Sequence, residues 1–328
     1  MRIIGVTVTY GDRHAYCLDA VAAFFRNGID EVVVISNGSS HRSLAALRAS
    51  ERTDPRLTVL HTEDNRGSAP AFAEGLCEAL AREAEWVWIL DDDNIPEDNA
   101  LAEALHLVRS QPDPTLVAVS CVRDTDESHA LLLSGVSPDA AFPPPGAFFG
   151  VDVLRRTRVA RPPERSMREE CIRLPQAPYG GLLLSRQAVE VCGLPRADFV
   201  LYFDDVEYTR RLVASGVILI LAPGARIHDQ GQKWADHRGR TYLDAMIMSA
   251  DKRKIYYSYR NSTVTDWSRA TSKRAKLRFA ANWISYLAYV LVKSRLRNAW
   301  FSFLFIRAAI DAVRYSTSAP TRTPGETP

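Results

Sequence analysis

The strongest constraint on this chain is an alternation, through its first 120 residues, of short β-branched apolar runs with longer stretches of helical spacing. Arg2 to Thr9 (RIIGVTVT), Glu31 to Ile35 (EVVVI), Leu57 to His61 and Glu85 to Leu90 (EWVWIL) read as strands, and His14 to Asn27, Ser43 to Ser50 and Ser68 to Arg82 as the helices between them. That pattern predicts an α/β fold, a mainly parallel sheet covered by helices. The fourth run leads directly into Asp91-Asp92-Asp93, so the acidic triplet should sit at a strand's carboxyl end, where ligands of open α/β sheets bind.

Leu116 to Val122, Gly181 to Ser185 and Val217 to Leu221 read as further strands, with helices over Arg186 to Cys192 and Asp204 to Ser215. Between Ser134 and Pro178 the prolines forbid one continuous element, and strands joined by loops are expected. The sequence predicts three regions: 1–250, the α/β domain; 251–315, basic, aromatic and helical; and 316–328, a disordered tail rich in Thr, Ser and Pro. The formal net charge is only +2, but between 252 and 314 fourteen Lys and Arg face only Asp266 and Asp311, so that region should attract anions. Five scattered cysteines, with no C-x-x-C pair and no secretory signal, predict buried, inert, reduced thiols in a cytoplasm.

Three adjacent aspartates on a buried strand repel one another unless something neutralises them. Mg²⁺ or Mn²⁺ bridging the carboxylates to a diphosphate is the simplest partner; the plainer alternative is Asp93 or Asn94 capping a helix that begins near Pro96. Asp204-Asp205-x-Glu207 opens a helix and offers either a general base or a helix cap with an ordinary Glu207–Arg211 pair. His228, past the turn Pro223-Gly224, is either a structural histidine or a third metal ligand.

In order, these pieces resemble glycosyltransferase family two, the inverting enzymes of the Rossmann-like GT-A fold, over most of residues 3–260. The resemblance is carried by Thr9-Tyr10-Gly11-Asp12-Arg13, Ser36-Asn37-Gly38-Ser39, Asn65-Arg66-Gly67, the triplet, and Tyr202-Phe203-Asp204-Asp205-Val206-Glu207-Tyr208 with Arg210 and Gly216 beyond. It implies donor contacts from Thr9, Arg13, Asn37, Asn65, Arg66, Asp91 and Asp92, a D-x-D metal ligand at Asp93, and a catalytic base at Asp205. Ser36 stands where the family usually has an acidic residue for base recognition. The Asp204-to-Tyr208 run, Pro223-Gly224-Ala225 and His228 look most like the galactofuranosyltransferase branch, which implies that His228 completes the metal site. Tyr179-Gly180-Gly181, on the loop entering a strand, either lets backbone approach the acceptor closely or makes a tight turn, and Asp204 is expected at the acceptor too. A rhamnosyltransferase using dTDP-rhamnose is the neighbouring reading.

Trp283 to Val292 and Trp300 to Ile306 are too short to span a bilayer. Rings interleaved with cations suit the inner membrane surface, and a peripheral contact through 275–314 would serve a lipid-linked or glycan acceptor. A packed helical pair or a homo-oligomer contact is the competing role. Nucleic acid is set aside, because no reading motif accompanies the basic charge. A sugar-phosphate nucleotidyltransferase would need a Gly-rich basic loop after the first strand, which Thr9 to Arg13 is not; a non-catalytic nucleotide-sugar-binding subunit would not need Asp93, Asp205 and His228 together.

Overall fold

The computed structural model of the chain describes residues 1–153, 171–231, 251–294 and 299–318. The chain forms two compact units, one of residues 1–138, 164–200 and 204–231, the other of residues 139–163, 201–203 and 232–328.

In the first unit β1 (Ile3–Gly11), β2 (Glu31–Ser39), β3 (Leu57–Thr62), β4 (Trp86–Asp91), β5 (Asn94–Pro96), β6 (Val117–Arg123), β7 (Ile172–Arg173), β8 (Leu182–Ser185) and β9 (Ile218–Asp229) make one sheet. Its order is β3-β2-β1-β4-β8-β6-β9-β5, with β7 also paired to β9. β1 to β4 are mutually parallel, as are β6 and β9. Around the sheet lie α1 (His14–Arg26), α2 (His41–Thr53), α3 (Ser68–Ala81), α4 (Ala100–Arg109), α5 (Glu127–Leu133), α7 (Arg186–Cys192) and α8 (Asp204–Ala214), while α6 (Pro138–Ala141) has all but its first residue in the second unit.

The apolar runs become strands because helices cover both faces. A Cβ on Gly5 would meet the Phe24 ring of α1 at 2.9 Å, and a Cβ on Gly75 of α3 would meet Val6 at 2.4 Å, so successive residues of β1 face helices on opposite sides. Val32 to Ile35 and Val87 to Leu90 are accordingly fully buried. The expected α/β fold is the one observed.

Four local departures have physical causes. β8 runs antiparallel between β4 and β6, a direction that a uniformly apolar Leu182-Leu183-Leu184 cannot signal. Ser36-Asn37-Gly38, whose residue types favour a turn, instead continues β2, because β3 pairs as far as Asn37. Pro223-Gly224 is an irregularity within β9, where the register with β6 shifts between Cys121 and Val122. The triplet leads into β5, and α4 starts only at Ala100 with no side-chain cap at Asn99, so the acidic-cap alternative does not hold. Of the cysteines, Cys17 and Cys121 are buried as expected, whereas Cys77 is exposed.

The second unit contains α9 (Lys252–Arg269), α10 (Lys273–Ser294) and α11 (Ala299–Ser318), packed through Phe148, Tyr259, Phe279, Tyr286 and Phe305. The segment before residue 153 is built into it. Asn282 donates to Gly146 O (2.8 Å) and accepts from Val153 N–H (2.9 Å), and Asp266 accepts from Phe149 N–H (3.0 Å). The helical part thus recruits more of the chain than its own sequence region. α11 runs to Ser318, and the rest of the expected tail lies outside the described residues. Among the described residues, no helix is long and apolar enough to cross a membrane.

Candidate active site

The sheet brings the triplet to the carboxyl end of β4, between the ends of β1 and β8. Asp92 turns inward and is 4% exposed. Thr9 at the end of β1 donates to it (2.7 Å), and the Arg13 guanidinium forks onto both its oxygens (2.7 to 3.1 Å) and onto Asp93 (2.9 Å). Thr9 and Arg13, expected at the donor, are directed to the triplet. Burial lifts the Asp92 carboxyl above the ordinary aspartate range, while Arg13 and Thr9 pull it back.

Asp91 faces the other way. Its N–H donates to Asn94 Oδ1 (3.1 Å), and its carboxylate meets Arg123 from the end of β6 (3.1 Å). Arg123 also reaches Asp229 (2.8 Å), which accepts from Asn94 Nδ2 (2.6 Å). Burial pushes Asp91 up to about 6 against the opposing pull of Arg123, and Asp93, Asp92 and Asp205 add to the rise. A lone arginine at a strand end carries no sequence pattern, and Arg123 was not among the expected site residues; the adjacent acidic strand end was the signal that could have found it.

Asp204 and Asp205 open α8 after a loop in which Val200, Tyr202 and Phe203 all adopt positive φ, near 62°, 62° and 61°. Such conformations are costly for residues with a side chain and fix the helix entry. Asp204 is 5% exposed and accepts from Ser68 Oγ (2.8 Å) at the start of α3. Burial raises both carboxyls. Repulsion from Asp205 adds to the rise at Asp204, whereas Arg123 tempers Asp205. Triplet, Arg123 and aspartate pair therefore share one electrostatic neighbourhood.

Asn37 and Asn65 brace a loop. Asn37 accepts from Arg66 N–H (3.0 Å) and donates to Gly67 O (3.0 Å), and Asn65 accepts from Gly67 N–H (2.9 Å). The Arg66 side chain pairs with Glu74, and Ser36 meets His61 Nδ1 (3.1 Å). Gly180 lies against Asp91, Asn94 and Arg123, while Gly181 packs between Ile227 and Cys121 and bonds to Ile89 O, which makes it part of the sheet rather than of an open surface.

The expected pairing of Asp93 with His228 is not assembled. His228 Nδ1 lies 2.5 Å from Asp124 and Nε2 3.3 Å from Glu97, and its side chain is half exposed. Strand alternation explains this: neighbouring Asp229 turns toward Arg123 and Asn94, so His228 projects from the opposite side. No group of three or more His, Cys, Asp or Glu is gathered around one point among the described residues. The donor set nonetheless suits a hard divalent ion, since Asp91 and Asp93 present carboxylates beside a buried, mutually repelling acidic cluster.

The model described as "Glycosyltransferase like family 2" matches residues 2–249. The chain belongs to this family. Among similar family members, a galactofuranosyltransferase GlfT1 of Mycolicibacterium smegmatis is 28% identical over 226 residues, 66% of this chain and 66% of that one. A GlfT1 from Mycobacterium tuberculosis is 28% identical over 222 residues, again 66% of each chain. A GlfT2 of M. smegmatis is 26% identical over 247 residues, 71% of this chain and 37% of that one. The chain thus aligns to just under two thirds of the GlfT1 proteins and to a smaller part of GlfT2. Of solved structures, mannosyltransferase PcManGT from Pyrobaculum calidifontis, in complex with GDP-Man and Mn²⁺, superposes with a TM-score of 0.51 at 18% identity, covering 97% of this chain and 87% of that one. GalNAc-T7 with UDP, GalNAc and Mn²⁺ gives 0.52 at 14% identity, covering 90% and 58%. These likenesses establish the GT-A fold.

Proposed function

We propose that this glycosyltransferase moves galactofuranose, with inversion, from a nucleotide-sugar donor to a hydroxyl of a glycan or lipid-linked acceptor, with a divalent ion, Mn²⁺ or Mg²⁺, at the triplet. The observation that carries this reading is the shared neighbourhood of Asp91, Arg123 and Asp205 at one sheet edge. A base for the acceptor and an acidic site for the donor's phosphates are both needed there.

Asp205 takes the acceptor's hydroxyl proton as that oxygen attacks the anomeric carbon and the bond to the nucleoside diphosphate breaks. Ser68 anchors Asp204 and so fixes the start of α8 that presents Asp205. Asp93 and Asp91 would hold the ion, and His228 would join them only by leaving Asp124 and Glu97. When bound, the ion supplies Lewis-acid neutralisation of the leaving diphosphate. Arg66 would aid it by exchanging Glu74 for phosphate. Names of relatives favour galactofuranose over rhamnose. The basic helices favour work at the inner face of the cell membrane, in cell-surface polysaccharide synthesis.

The test is acceptor-dependent release of nucleoside diphosphate by the full chain with Mn²⁺ and a panel including UDP-galactofuranose and dTDP-rhamnose. Release from UDP-galactofuranose is expected. Release from dTDP-rhamnose alone would overturn the donor assignment, and release from no nucleotide sugar would overturn the reaction.

A further inference from the structure

We propose that the second unit carries a lipid-chain site, a groove between α9, α10 and α11 that takes one hydrocarbon chain of a phosphate-bearing membrane lipid. This deepens the membrane contact in the proposed function and rests on that contact, not on the transfer chemistry.

The groove has a volume of about 690 Å³, within the roughly 300–1,000 Å³ usual for small-ligand sites. It exists because small residues form its floor. On α11, Ile306, Ala309, Ile310 and Val313 recur at helical spacing, and the alanine leaves a trough between larger neighbours. On α10, Ala280 does the same beside Trp283 and Ile284. Apart from Thr263 and Arg314 the lining is apolar. Yet Ile284 is 60%, Ile310 47% and Val313 62% exposed, so this surface meets water unless something covers it.

Charge selects the occupant. Along α9 to α11 twelve Lys and Arg stand against Asp266 and Asp311. Asp266 accepts from Phe149 N–H, and Asp311 accepts from the Tyr256 hydroxyl and lies 3.7 Å from Arg307 and 3.9 Å from Arg314, so two acids are shared among the twelve cations. At the groove, Lys276 Nζ sits 5.5 Å from the Trp267 ring centre and Arg314 forms part of the wall. Cations beside an apolar trough flanked by tryptophans match a lipid whose chain lies in the trough and whose phosphate meets the cations. A second copy of this unit would bring a like-charged surface to the same place, which opposes self-association.

Trp267 and Trp283 line the groove and report on it. The full chain would be mixed with phosphatidylglycerol vesicles carrying brominated or plain acyl chains, with phosphatidylcholine vesicles as the neutral arm. Expected are quenching of tryptophan emission by brominated phosphatidylglycerol, little by brominated phosphatidylcholine, and loss of that quenching in Trp267→Phe/Trp283→Phe. Ile284→Ser/Ile310→Ser, at exposed positions, should lose it too while keeping its circular dichroism. Flotation with anionic vesicles without quenching would overturn the groove while leaving the membrane contact standing; no flotation would overturn both. Quenching that survives Ile284→Ser/Ile310→Ser, or lipid-free dimerisation that this variant abolishes, would overturn the lipid assignment. None of these readings depends on sugar transfer, so a failed donor panel leaves them intact.

Discussion

Arg123 holds Asp91 with one terminal nitrogen at 3.1 Å and Asp229 with the other at 2.8 Å, joining the ends of β4 and β9 through the end of β6. The arginine side chain is 15% exposed and Asp229 5%, whereas Asp91 is 36% exposed, so the Arg123–Asp229 half of the clasp is the part out of water. Removing one partner of a buried ion pair leaves uncompensated charge and costs about 3–5 kcal/mol. Arg123→Ala should therefore lower urea stability by about that amount and push Asp91 further up, since Arg123 is the group drawing it down. Arg123→Lys should recover only part, because one ammonium cannot span both carboxylates in the guanidinium's planar geometry. A loss below about 1 kcal/mol for Arg123→Ala would reject the clasp.

Asp205→Asn should lower the transfer rate about a hundred- to ten-thousandfold, the usual contribution of a general base, while binding of the nucleoside diphosphate, measured by calorimetry, stays near wild type. Near-normal transfer would remove Asp205 from the base role.

The pH profile carries a second signature of the same pair. Both Asp204 and Asp205 are raised, and a base works only when deprotonated, so activity should rise with pH along an acid limb above the ordinary aspartate range. Ser68 stabilises the charged form of Asp204. Ser68→Ala raises Asp204 further, so Asp204 stays neutral to higher pH and repels Asp205 less, and the limb set by Asp205 should stay in place or move to lower pH. A limb moved to higher pH, with folding intact, would give the base role to Asp204 instead of Asp205.

The sheet was legible because Val32 to Ile35 and Val87 to Leu90 are apolar without interruption, as strands buried on both faces must be. The strand-end position of the triplet followed from the same runs. What was hidden depended on partners far along the chain. Arg123 gains its place from Asp91 and Asp229, Thr9 and Arg13 turn to Asp92, and Gly181 is claimed by Ile227 and Cys121. His228 and Asp229 are adjacent in sequence, and only the pleat of β9 against β5 decides which one turns inward.

Mn²⁺ should raise the unfolding temperature of the full chain, because an ion that binds only the folded state stabilises it by about 2.7 kcal/mol at a hundred times its dissociation constant. Its carboxylate ligands must be charged, and Asp91 lies at about 6, so the increment should be larger at pH 7.5 than at pH 5. Asp93→Asn should abolish it. Equal increments at both pH values, or in the variant, would place the ion elsewhere.

Gly180 sits where a side chain has no room. A Cβ there would come within 2.2 Å of Asn94 Oδ1 and 2.8 Å of both Arg123 and Asp91. Asn94 cannot easily yield, since it receives the Asp91 N–H and donates to Asp229, and Arg123 is fixed by the same two acids. Overpacking of this kind costs about 1–3 kcal/mol. Gly180→Ala should lose that much stability and, by parting Arg123 from Asp91, lose transfer activity more steeply than stability. Gly216→Ala is the matched control for a glycine substitution: a Cβ there meets nothing within 4 Å, so its cost comes from the positive φ of 90° alone and should leave the activity of the folded protein unchanged. Equal losses of activity in the two variants, compared at equal folded fraction, would show that crowding at Gly180 does not act through the acidic cluster.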